Sequence, residues 1–291
     1  MRYTIKNDHL TVEVDSLGAE LASIRDDQGL EYLWQGDPHS WRGRATILFP
    51  YVGRLRNGRA DSAEGPVTGG GHGFARRCDF GLVSLTDTAV TLQITDNEET
   101  RAAYPYAFSL SLTYALEGNT LRQTYTVHNP GKVPLHYCVG GHPGFNVPLI
   151  PDEQFEDYTV TFDQPETADC PMVNMEEGLI LHTRNRFLTD RDWFSLNHVL
   201  FRGDALVFDQ LKSRRVRLCS TVSGRGVEMD FEGWEILGIW SYSIDAPFVC
   251  LEPWTGTATW DVEDDVFEHK RGMASLAAGD TAEKSFSMRF F

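Results

Sequence analysis

A two-residue hydrophobic period recurs along the whole chain and limits what it can fold into. Leu10, Val12 and Val14 alternate with Thr11 and Glu13, and Val90, Leu92 and Ile94 with Thr91 and Gln93. Phe108, Leu110, Leu112 and Tyr114 alternate with Ser109, Ser111 and Thr113. The pattern returns at Tyr158, Val160 and Phe162, at Val216 and Leu218, at Val227, Met229 and Phe231, and at Phe286, Met288 and Phe290. Successive side chains of a strand point to opposite faces, so strict alternation marks strands with one buried face. A 3.6-residue period is weak everywhere; short helical turns are expected only near 97–103 and 190–198.

Turn signals separate the alternating runs. Glu117-Gly118-Asn119-Thr120 reads as a hairpin loop and His128-Asn129-Pro130-Gly131-Lys132 as a second turn. Gly and Pro are spread evenly, and no repeat, low-complexity stretch or composition shift marks a boundary. The expectation is all-β: roughly 20 mostly antiparallel strands forming a β-sandwich, one domain over residues 1–291. With 41% hydrophobic residues the chain has enough apolar material for a large core.

Charge narrows the function. Against 26 Lys and Arg stand 42 Asp and Glu, a net charge of −16. Such a surface repels phosphate backbones and anionic lipid, so neither nucleic acid nor membrane is the expected partner. The five cysteines are odd in number and form no CxxC or CxxxC pair, which argues against a disulfide framework or a thiolate zinc site. The start of the sequence shows no apolar signal segment, and no apolar run reaches 18 residues. A reduced, cytoplasmic monomer or homodimer is expected.

Five segments interrupt the alternation and gather ionisable residues among Gly and Pro: residues 49–55 (FPYVGRL), 69–76 (GGGHGFAR), 140–146 (GGHPGFN), 208–211 (FDQL) and 250–256 (CLEPWTG). Glycine lets backbone approach a ligand and proline fixes the chain's path. Taken singly, each polar residue has a plain explanation: His72 and His142 as turn residues, Arg54 and Arg76 as surface ion pairs, Asp209 and Glu252 as strand-end carboxylates. The functional reading rests on the set. Sharper motifs are absent. No Lys-Ser/Thr follows the glycines of 69–73, no helix pattern supports a dinucleotide fingerprint, and there is no HExxH or GxSxG. The acidic run 261–265 is followed by Val266, where a calcium loop needs Gly.

In this order, the five segments make the chain resemble the galactose mutarotase-like superfamily, the aldose 1-epimerases, and within it a bacterial branch labelled LacX-like. The resemblance implies a β-supersandwich that interconverts the α and β anomers of a free aldose with neither metal nor organic cofactor. It implies His142 as general acid and Glu252 as general base, and Arg54 and His72 as contacts to sugar hydroxyls. By the same resemblance Asp209 is a carboxylate holding hydroxyls and Arg76 a support of the site. The galactose-specific branch carries NHxHGG-type and TNHxYFN-type segments where this chain has GGGHGFAR and GGHPGFN, so sugar preference does not transfer.

Ring opening suits a base at the C1 hydroxyl and an acid at the ring oxygen. A neighbouring carboxylate should raise the protonated fraction of His142, and Glu252 should be ionised near its ordinary pKa. Trp254, Phe74 and Trp240 are candidates for stacking on sugar C–H bonds, with core packing the alternative. Three other readings stay open. A hexose-6-phosphate 1-epimerase would draw on Arg54, Arg56 and Arg59. A carbohydrate-binding protein would have no turnover. A retaining glycosidase would need Glu252 and Asp209 about 5–5.5 Å apart.

Overall fold

The computed structural model describes residues 1–242 and 245–291 and contains twenty-one strands. The fold is an all-β, antiparallel sandwich built on two principal sheets. The larger has nine strands, among them Ala89–Thr95, Ser109–Glu117, Thr120–His128, Gly226–Asp230 and Thr281–Phe290. These are the strands the alternation predicts. In Thr120–His128, for example, Leu121, Gln123, Tyr125 and Val127 are buried while the residues between them are more exposed.

The smaller sheet runs Leu206–Phe208, Ile236–Trp240, Phe248–Trp254, Gly140–Asn146 and Ala45–Leu48 in spatial order. One face lies on the large sheet. The Tyr125 hydroxyl donates to the Gly140 carbonyl at 2.8 Å, and a side chain at Gly141 would meet the Phe286 ring at 2.8 Å. The other face is covered by loops, so Phe248–Trp254 is buried at every position. A strand buried on both faces has no reason to alternate, and here FVCLEPW does not. One cluster of buried apolar residues extends from Ile5 to Phe290.

The Glu117–Thr120 loop is a tight hairpin with Gly118 at φ +55°. The first expected helix exists as Glu98–Ala103, started by Asn97, whose side chain accepts from the Thr100 amide. The second does not. Residues 190–195 continue the strand Leu179–Ser195, whose Trp193, Phe194 and Ser195 pair with Thr161, Val160 and Thr159, and a short 3-10 turn, His198–Phe201, follows. Pairing to a neighbouring strand overrides the weak local preference.

Candidate active site

Across the two central strands of the small sheet, Gly140 pairs with Trp254 and Gly144 with Cys250. Midway between these pairs, His142 lies across from Glu252, with both side chains on the sheet face away from Phe286. His142 Nε2 is 3.3 Å from Glu252 Oε2, and the two side chains are only 9% and 2% exposed. They meet at the floor of a cavity of about 340 Å³, also lined by Arg54, His72, Arg76 and Trp254. That volume is at the small end of the roughly 300–1,000 Å³ typical of ligand sites, suited to one monosaccharide unit.

The imidazole of His142 is walled by rings. Trp41 stacks on it at 4.7 Å between centroids, and Trp240 and His72 approach edge-on at 5.5 and 5.7 Å. Burial dominates the electrostatics. It pushes His142 well below the ordinary histidine range, with the neighbouring His72 adding to the effect. Burial also pushes Glu252 well above the carboxylate range, aided by the negative charge of Asp204. Both directions run against the sequence expectation, because desolvation penalises both charged forms. Burial thus favours the uncharged form of each group.

His72 sits at φ +65° in a loop tied to Gly53 at two points. Its amide donates to the Gly53 carbonyl at 2.7 Å, and the Gly53 amide donates to His72 Nδ1 at 3.2 Å. An accepting Nδ1 leaves the proton on Nε2 as the free donor. Burial, then Arg76 and Arg54, hold the His72 pKa at about 3, so it works as a neutral group. The next residue, Gly73, has φ +69° and would place a side chain 2.1 Å from the Phe49 carbonyl, so only glycine passes there.

Arg54 and Arg76 line the cavity, and among the described residues neither has a carboxylate within ion-pair distance. Arg56 and Arg59, grouped with Arg54 in the sequence reading, are engaged elsewhere: Arg56 with Asp265 and the Trp260 carbonyl, Arg59 with Asp61. Trp254 packs against Gly140 and Gly238, where side chains would approach its ring to 2.8 and 2.6 Å. Among the described residues its indole N–H has no hydrogen-bond partner, although it lies close enough to draw the Glu252 pKa down somewhat. Thr46 Oγ1 and His142 Nδ1 are likewise buried without partners. Orphaned polar atoms around one cavity are costly unless a ligand supplies their hydrogen bonds.

Asp209 is placed differently from the sequence reading. Its carboxylate is fully buried, accepting from Arg184 at 2.8 and 2.5 Å and ion-paired with Arg271 at 2.9 Å. Both guanidinium groups also lie over the Trp260 ring. Asp209 is engaged by two cations and is not among the residues lining the cavity that holds Glu252, which disfavours the glycosidase reading. Phe74 packs in the core against Phe49, Tyr104 and Phe108, whereas Trp240 lines the cavity. Sequence reasoning missed Asp204, Trp41 and Thr46, all at the cavity. The Gly203-Asp204 turn was the available signal for the first; nothing local marked the other two.

The comparisons with known proteins agree with this architecture. Residues 1–264 match the aldose 1-epimerase family model. The chain belongs to the aldose 1-epimerase family. It is 39% identical to the plasmid-encoded protein LacX of Lactococcus lactis subsp. lactis, over 99% of both chains. A galactose mutarotase related enzyme from Lactobacillus acidophilus superposes with a TM-score of 0.95 at 33% identity, over 100% of this chain and 97% of that one. A galactose mutarotase-like protein from Lactobacillus casei ATCC 334 superposes with a TM-score of 0.88 at 27% identity, over the whole of both chains. This epimerase-family chain thus carries the family's galactose mutarotase-like fold, and no helix among its described residues is long and apolar enough to cross a membrane.

Proposed function

We propose that the chain is an isomerase interconverting the α and β anomers of a free aldose, with His142 and Glu252 as the proton-handling pair. The observation carrying this reading is their 3.3 Å contact at the floor of a monosaccharide-sized cavity. The C1 hydroxyl and ring oxygen sit on the same carbon, so two adjacent groups match two adjacent oxygens. The reactive form of the pair with a bound ring is the charged one, Glu252 as carboxylate and His142 as imidazolium. Glu252 takes the C1 hydroxyl proton, the C1–ring oxygen bond breaks, and His142 protonates the departing oxygen. The pair is then carboxylic acid and imidazole, the neutral arrangement that burial favours. Rotation about C1–C2 and the reverse transfers close the ring on the other face. One proton passes through the sugar, and the oxidation level is unchanged.

His72, Arg54, Arg76, Asp204 and the Trp254 N–H supply hydroxyl contacts in this reading, and Asp209 acts only by fixing the wall. A second reading, a phosphorylated aldose, is favoured by one observation: in a chain of net charge −16, Arg54 and Arg76 line the cavity with no carboxylate partner among the described residues. Exchange spectroscopy by NMR on free and 6-phosphorylated aldoses tests both. Exchange above the buffer rate for a free aldose, abolished by Glu252→Gln, is the expected result. Preference for the phosphorylated sugar selects the second reading. Sugar binding by wild type without exchange leaves a binding protein.

A further inference from the structure

Cys250 has no part in the chemistry above, yet it lies beside it. Two residues before Glu252 on the same strand, it points to the same face, and it pairs across the ladder with Gly144, where a side chain would meet its sulfur at 3.3 Å. The Cys250 sulfur, a ring nitrogen of His142 and a carboxylate oxygen of Glu252 all lie within 4.8 Å of one another. The geometry points to a zinc-binding site at this trio, through which a borderline-soft divalent cation reversibly shuts off the enzyme.

Four features support it. A nitrogen, a sulfur and an oxygen donor form the mixed set zinc accepts, with bonds of about 2.0–2.3 Å. Tetrahedral donors at such distances stand roughly 3.3–3.7 Å apart, so the 3.3 Å contact of His142 with Glu252 already fits, and the thiol needs to close by about 1 Å at most. A thiolate and a carboxylate balance the two positive charges, in a shell made dry by Trp34, Trp41, Trp240 and Phe248. Glu252 Oε2, deeply buried, has no hydrogen-bond partner to give up among the described residues. A fourth position is left open toward the cavity. A metal held here takes both atoms that move protons, so its effect on turnover rests on the acid–base reading, whereas its binding does not.

The test uses the full chain with zinc chloride and cobalt chloride. Wild type should lose anomer exchange at micromolar zinc, compete with sugar for the site, and recover with EDTA. Cobalt should give a near-ultraviolet thiolate charge-transfer band that Cys250→Ser lacks. Without metal, Cys250→Ser should exchange sugar at the wild-type rate, and it should need about tenfold more zinc, or more, for half inhibition. Cys250→Ala serves the same purpose if the buried hydroxyl disturbs folding. The site is overturned by exchange that withstands millimolar zinc, by equal sensitivity in the variants, or by a cobalt band that survives them. Should wild type exchange no sugar at all, the cobalt band still decides whether the site exists, and only the acid–base reading falls.

Discussion

The two principal sheets contrast in how they are written and in what they do. The nine-stranded sheet alternates polar and apolar residues, because its strands bury one face. The central strands of the five-stranded sheet are buried on both faces. The first carries much of the core, and the second carries His142 and Glu252. A strand enclosed on both sides can hold a carboxylate and an imidazole away from water, where their pKa values move and a shared proton becomes mobile. Architecture and chemistry are thus divided between sheets of different burial.

This division can be broken experimentally. The largest effect is expected from the small sheet. His142→Ala and Glu252→Gln should each slow anomer exchange by roughly 10²–10⁴-fold while leaving the thermal midpoint near that of wild type, and the double variant should lose far less than the product. Exchange NMR and a melting curve on the same samples check this.

Next comes the large sheet. Leu112, fully buried in Ser109–Glu117, should cost about 2–5 kcal/mol of stability when replaced by Ala, read by urea unfolding, with the exchange rate per folded molecule unchanged. A large loss of turnover in Leu112→Ala would mean that the two sheets do not divide the work.

The pH profile is the third test. The active form holds one proton on the pair. Burial lowers the pKa at which His142 takes a second proton and raises that at which Glu252 gives up the only one. Exchange should follow a bell whose acid limb lies below the ordinary histidine pKa and whose alkaline limb lies above the ordinary carboxylate pKa. A rate flat from about pH 5 to 9 contradicts the pair.

The smallest effect on turnover is expected at Asp209. Asp209→Asn leaves Arg184 and Arg271 with weaker partners, and both are partly exposed, so the loss should be about 1–3 kcal/mol of stability with little change in sugar affinity. A loss of binding without loss of stability would return Asp209 to the sugar site.

Much of the fold was legible in the sequence, because alternation is a local record of a one-sided sheet. The site was legible as a set of segments where alternation fails. Two of them, 140–146 and 250–256, fall in central strands, and their Gly-rich composition hid the strand character. The 190–198 misreading has the opposite cause: pairing with Thr159–Thr161 gave a strand to residues whose local pattern was ambiguous. Asp204 and Trp41 reach the cavity only because distant elements fold over the small sheet, and Asp209 leaves it only because Arg184 and Arg271 close around its carboxylate.

By itself the sequence determined a layered antiparallel protein with its reactive residues gathered in a few Gly-rich segments, since side-chain period and turn chemistry act between near neighbours. Tertiary structure decided which of those residues share a cavity, which arginines have no carboxylate partner among the described residues, and in which direction burial shifts His142 and Glu252. These depend on desolvation and on contacts between residues more than 200 positions apart, and both come into being only when the sheets close over one another.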